Sequence, residues 1–240
     1  MAFLRALLLT NPYIVFSTIF FATISFFVSF FDSDGSSQNA VARVWARWIV
    51  KVAGVRLETH GIDKLDRARG YVLAANHSSY MDTPVILSAI PLQYRFMAKS
   101  ELFKIPFMGS HLKRAGHIPV PREDPRAAVK AMTLAATNIR EKNISVLIFP
   151  EGGRTPDGEL KSFKEGGAYI AIKAGVPVIP VAILGTRAVV PVNSAIVKPG
   201  KVVVCVGEPI ETAGLTLKDR ERVTGEARQQ IVSMLAAYTG

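Results

Sequence analysis

The 240-residue chain is 49% hydrophobic and 20% charged with a mean hydropathy of +0.26, a balance that excludes intrinsic disorder and leaves ample chain for a core. Its 29 basic and 19 acidic residues give a formal charge of +10, which favours an anionic partner without choosing among nucleic acid, membrane and phosphorylated substrate. The single cysteine, Cys205, sits in an apolar run and excludes both a disulfide framework and a cysteine-rich zinc site.

The apolar excess is concentrated at one end. Seven of the 13 phenylalanines lie between Phe16 and Phe31, and residues 6–31 carry no charge. As a helix those residues would measure about 39 Å, against a hydrocarbon core of about 30 Å. Pro12 and the lack of a small-x-small cleavage site argue against a removed signal peptide, and a half-inserted helix stands beside a full span as an alternative. After a polar break at 32–39, Val41, Val44, Trp45, Trp48, Ile49 and Val52 share one helical face, with Arg43, Arg47 and Lys51 in a row alongside. That pattern predicts a basic helix lying at a bilayer surface, the alternative being an amphipathic helix packed on the domain. Residues 1–54 thus read as a membrane-association element and 55–240 as one α/β domain.

Within that domain the spacing predicts strands at 55–59, 71–75, 95–98, 144–149, 178–184 and 201–206, and helices at 83–90, 125–141, 163–174 and 219–237. Alternation of this kind implies a mixed, largely parallel sheet flanked by helices.

Polar residues following the apolar strands carry the chemistry. Asn76, His77 and Asp82 follow the strand at 71–75, at the strand end where α/β sheets place their sites. With His77 in the turn and Asp82 at the start of the next helix, Asp82 can hold one ring nitrogen and leave the other as a proton acceptor. This is a base and its orienter without a nucleophile, which the substrate must then supply. The alternative gives Asp82 a capping role and His77 a turn role. Ser78 lacks the G-x-S-x-G setting of a nucleophilic serine and reads as a loop or capping residue. The strand at 144–149 runs into Pro150, Glu151, Gly152, Gly153 and Arg154, while Lys99 and the Gly116-to-Arg122 segment form a third cluster. Lys99, Arg122 and Arg154 suit one anion if the fold gathers them. His60, His77, His111 and His117 have no metal-ligand spacing, so no metal site is expected.

Taken in order, these segments resemble the PlsC-type glycerolipid acyltransferases, the 1-acyl-glycerol-3-phosphate acyltransferase family. Asn76, His77 and Asp82 match the family's N-H-x4-D, and Gly116 and Arg122 its G-x5-R, preceded by a K-x-E-L-x3-P-x2-G run from Lys99 to Gly109. Phe149, Pro150, Glu151, Gly152 and Arg154 match F-P-E-G-T-R-S, and residues 176–181 match V-P-V-I-P-V. Gly153 stands where the motif has Thr, and Thr155 where it has Ser.

The resemblance implies the glycerolipid acyltransferase fold with a membrane-associated N-terminal two-helix element. It implies His77 and Asp82 as the catalytic pair, and Lys99, Arg122, Glu151, Gly152 and Arg154 as the phosphate- and glycerol-binding set. Glu151 would bond the glycerol or order the cations. The expected reaction moves an acyl chain from acyl-CoA or acyl carrier protein to lysophosphatidate, making phosphatidate in phospholipid biosynthesis, with no cofactor. Expected partners are membrane lipids and these substrates, with no nucleic acid. The expected location is a membrane, on the cytoplasmic face of a bacterial inner membrane. Alternatives are another acceptor, such as a lyso-ornithine lipid, a lysophospholipid or glycerol 3-phosphate, or a non-enzymatic lipid-binding protein at the membrane surface.

Overall fold

The structure is a computed structural model that describes residue 4 and residues 6–121, 123–155, 158–194 and 196–238. Seven strands form one sheet: β1 (Val55–His60), β2 (Val72–Ala75), β3 (Tyr94–Lys99), β4 (Ile118–Val120), β5 (Ser145–Ile148), β6 (Val178–Leu184) and β7 (Gly200–Val206). Their spatial order is β1-β7-β6-β2-β5-β3-β4, and every neighbouring pair is parallel except β6 with β7. The expected mixed, largely parallel sheet is what forms. β4 was not expected, because three residues with Pro119 at their centre give little periodic signal and suit only a sheet edge.

The central strands β2 and β5 are buried along their whole length, as parallel strands covered on both faces must be. Alternate side chains feed two cores. Leu73, Ala75, Leu147 and Ile179 join one, and Val72, Ala74, Val146 and Ile148 the other. The first core is roofed by α2 (Ser36–Val52) and α3 (Asp82–Ala89). The second is roofed by α5 (Pro125–Lys142), α6 (Gly166–Ala174) and α8 (Arg220–Ala237). Two short helices complete the set: α4 (Met108–Arg114), beside the apolar α1 (Asn11–Val28), and α7 (Thr186–Val189).

Asp32 turns the chain between α1 and α2 by accepting the backbone N–H groups of Gly35, Ser36 and Gln38, the orphan donors of the second helix's first turn. Gly35 takes φ of +76°, and a Cβ there would come within 2.8 Å of the Ala115 carbonyl oxygen.

The amphipathic helix divides its apolar residues between two surfaces. Ala46, Ile49 and Val50 enter the first core, and Trp45 donates its Nε1–H to Thr18 on α1 at 3.2 Å. Trp48 and Val44 stay exposed, with Lys51 over the Trp48 ring. Arg43 leaves the expected basic row: it turns inward to Asn39 and the Leu92 carbonyl, and lies over Tyr94. α2 is therefore chiefly a packed helix, because its long apolar arc meets the core that α3 needs covered. An exposed apolar surface runs along α1, where Val15, Phe16, Phe20 and Phe27 are more than half exposed. Leu8–Val28 is the one helix among the described residues long and apolar enough to cross a membrane.

Candidate active site

The strand β2 ends in a side chain that continues its ladder. Asn76 accepts the Ile183 N–H at 2.7 Å and donates Nδ2 to the Ile183 carbonyl at 3.0 Å, so its amide completes a rung with β6 after the β2 backbone has turned away. The following residues form a tight turn into α3.

Asp82, the first residue of α3, is fully buried. Its Oδ2 accepts the backbone N–H groups of Ser78 and Ser79, each at 2.8 Å, and the His77 Nδ1–H at 2.8 Å. An ionised carboxylate only accepts, so Nδ1 carries the proton and Nε2 is left basic. The helix N-terminus stabilises the negative charge. Ser79 buttresses the turn by donating its hydroxyl to the Val190 carbonyl at 2.7 Å. The His77 ring stacks on Phe149 at 3.9 Å between centroids, and its side chain keeps only 10% exposure. The histidine thus has one tautomer and one orientation, which is what general-base work requires.

Glu151 is held by main-chain donors. Its Oε1 accepts the His77 N–H at 2.6 Å and its Oε2 the Lys161 N–H at 3.1 Å, so both oxygens serve backbone amides. Burial pushes its pKa above the ordinary value, and the two amides pull in the opposite direction. Thr155, also buried, donates its N–H to the His77 carbonyl at 3.2 Å. The turn after β2 and the turn after β5 are consequently bonded to each other at both main-chain polar groups of His77.

Two of the candidate cations, Arg154 and Lys99, lie along the same sheet edge. Arg154 lies with its guanidinium 3.9 Å from the centroid of the Tyr80 ring, against the His77–Asp82 turn. Lys99, at the end of β3 and about 10 Å from the β2 backbone by strand spacing, pairs with Glu101 at 3.7 Å. Arg122 lies outside the described residues. Gly152 has φ of +76°, and Lys164 Nζ lies 3.0 Å from where its Cβ would be. Lys164 and Tyr80 are therefore site neighbours that the sequence did not reveal, since neither stands at a recognisable catalytic spacing. Arg228 on α8 is a third, donating to the carbonyls of Leu160 and Lys161, each at 3.2 Å, and so tying down the segment that Glu151 grips. Among the described residues, no group of three or more His, Cys, Asp or Glu is placed to hold a metal.

The family model described as Acyltransferase matches residues 56–184, which include His77, Asp82, Glu151 and Arg154. A chloroplastic 1-acyl-sn-glycerol-3-phosphate acyltransferase of Brassica napus is 34% identical over 175 residues, covering 72% of this chain and 50% of its own length. The 1-acyl-sn-glycerol-3-phosphate acyltransferase of Pseudomonas aeruginosa is 32% identical over 170 residues, covering 69% and 65%. The chain therefore spans about half the length of the plant relative and about two-thirds of the bacterial one. The crystal structure of the 1-acyl-sn-glycerophosphate acyltransferase PlsC from Thermotoga maritima superposes with a TM-score of 0.80 at 29% identity, covering 100% of both chains. With more than half its length matched by the family model and its whole length by that structure, the chain belongs to the acyltransferase family.

Proposed function

We propose that this protein transfers an acyl chain from a thioester to the sn-2 hydroxyl of 1-acyl-glycerol-3-phosphate, yielding phosphatidate and a free thiol. The observation that carries the reading is the His77–Asp82 pair, a buried and singly oriented base.

His77 Nε2 takes the proton of the substrate hydroxyl as that oxygen forms a bond to the thioester carbonyl carbon. Asp82 stabilises the imidazolium through Nδ1. The tetrahedral intermediate collapses, the carbon–sulfur bond breaks, and the imidazolium returns its proton to the departing thiolate. No acyl-enzyme and no cofactor is required. Arg154 beside the His77 turn and Lys99 on the same edge would hold the phosphate, joined by the motif residue Arg122. The names of the Brassica and Pseudomonas relatives support this acceptor.

The exposed apolar face of α1 supports a membrane location, where acceptor and product both reside. On this reading the catalytic edge faces the cytoplasm, where acyl-CoA and acyl carrier protein are found. The test is acyl transfer by the purified protein in mixed vesicles, with acyl-CoA and acyl carrier protein as separate donors and lysophosphatidate, a lysophospholipid and glycerol 3-phosphate as separate acceptors. Phosphatidate should form fastest. Preference for another acceptor would move the assignment within the family, and no transfer to any acceptor would remove it.

A further inference from the structure

We propose that residues 102–108 form a second membrane-inserting foot, separate from the N-terminal helix and placed beside the catalytic edge; this rests on the membrane reading above. The segment follows Lys99, the last residue of β3, on the edge of the sheet that carries His77. Leu102, Ile105, Phe107 and Met108 are all exposed, at 36%, 43%, 59% and 38%, although a soluble surface would spend polar residues here. The exposure does not come from a loose loop. Phe103 alone turns inward and is buried, and Gly109 packs so closely on it that a Cβ would stand 2.2 Å from the Phe103 carbonyl oxygen. Phe107 takes φ of +60°, a backbone conformation that L residues rarely adopt, with a ring that gains little from the protein interior.

Two observations name the occupant as a bilayer. The first is continuity with the apolar helix α1. α4, which begins at Met108, runs alongside α1: His111 Nδ1 and Ser25 Oγ share a hydrogen bond of 2.6 Å, and Arg114 donates to Ser29 and lies over Phe26 and Phe30. His111 with Ser25 and Arg114 with Ser29 define a parallel register. Carried back to the first residue of α4, it sets Met108 abreast of Ala22, within the apolar stretch of α1. The second is charge. Lys99 precedes the exposed apolar residues, paired with Glu101, and Lys104 lies among them; both lysines are exposed, and their long side chains can reach headgroup phosphates from an inserted apolar tip. Two feet, one on α1 and one under β3, would fix the height and tilt of the catalytic edge over the lipid surface, where one helix alone leaves it free to rock.

The test uses the full chain, with Cys205→Ala to remove the native thiol, and an environment-sensitive dye on Phe107→Cys. Phe16→Cys reports α1, and Glu211→Cys reports the opposite sheet edge, where Ile210 pairs with the first residue of β6. Ile105→Cys repeats the measurement should the Phe107 variant fail to fold. The probe is vesicles of phosphatidylcholine and phosphatidylglycerol with lipids spin-labelled in the acyl chain. Quenching at both 16 and 107 (or 105), with none at 211, is the expected result. Quenching at 16 but neither 105 nor 107 would overturn the second foot while leaving the membrane reading intact. No quenching at 16 or at 107 would overturn both, and equal quenching at 211 would reduce the effect to indiscriminate adsorption.

Discussion

Glu151 Oε1 accepts the backbone N–H of His77 at 2.6 Å, so the acidic residue of the second turn holds the histidine of the first by its main chain. Replacing it with Gln leaves one accepting oxygen for two backbone amides, the buried one of His77 and the partly buried one of Lys161. Glu151→Gln should lower unfolding free energy by about 1–3 kcal/mol in urea. A Glu151 that acts through the His77 main chain predicts a fall in kcat with the lysolipid KM little changed. A raised KM at unchanged kcat would instead place Glu151 on the substrate. Arg228→Gln, one step further out, should cost under about 1 kcal/mol.

Asp82 serves three donors at once, and its substitutions should separate chemistry from stability. Asp82→Asn keeps an accepting oxygen for the turn but loses the charge that steadies the imidazolium, and should slow transfer by roughly 10²–10⁴-fold. Asp82→Ala strands the amides of Ser78 and Ser79 as well, at a further cost of about 1–3 kcal/mol for each donor that water does not reach. Rates beside denaturant midpoints of the two variants make the comparison.

Much of this was legible in the sequence. All six predicted strands and all four predicted domain helices form, because long runs such as Val178–Leu184 and Pro125–Lys142 carry a clear period. His77 and Asp82 were readable as a pair because one side chain bonds the other across a short turn. The part of Glu151 was not readable, since its partners are backbone amides, which leave no residue pattern. The same limit applied to α2: its period was correct, but Arg43 turning inward depends on the Leu92 carbonyl, supplied by a segment 49 residues away.

The junction between α1 and the domain should weaken in acid. Burial and Arg95 depress the His111 pKa from 6.5 to about 4, and burial depresses His117 in the same direction. A depressed histidine favours folding fully above its unfolded value, so stability is present above pH 6.5 and is lost as pH falls toward about 4. The His111 contribution is at most about 3 kcal/mol, less what water screens at its partly exposed edge. Urea midpoints between pH 7 and 4 should fall for the wild type and fall less for His111→Gln, which can still pair with Ser25.

Adjacent glycines should respond oppositely. Gly152 has φ of +76° with Lys164 against it, so Gly152→Ala should destabilise by about 1–2 kcal/mol. At Gly153 a Cβ would meet no heavy atom within 4 Å and the backbone is not left-handed, so Gly153→Ala should stabilise by about 0.4–1 kcal/mol. Thermal melts of the two variants decide the matter, and Gly153→Thr, which restores the motif residue, should fold as well as the wild type.

The most direct test of the central claim compares wild type and His77→Ala in a single incubation with labelled acyl thioester, lysophosphatidate and vesicles, followed by both lipid analysis and intact-protein mass. A general-base role for His77 predicts labelled phosphatidate from the wild type alone, membrane binding by both proteins, and no mass increase on either. Phosphatidate formed at equal rates by the His77→Ala protein, or an acyl group retained on the wild-type chain, would contradict it.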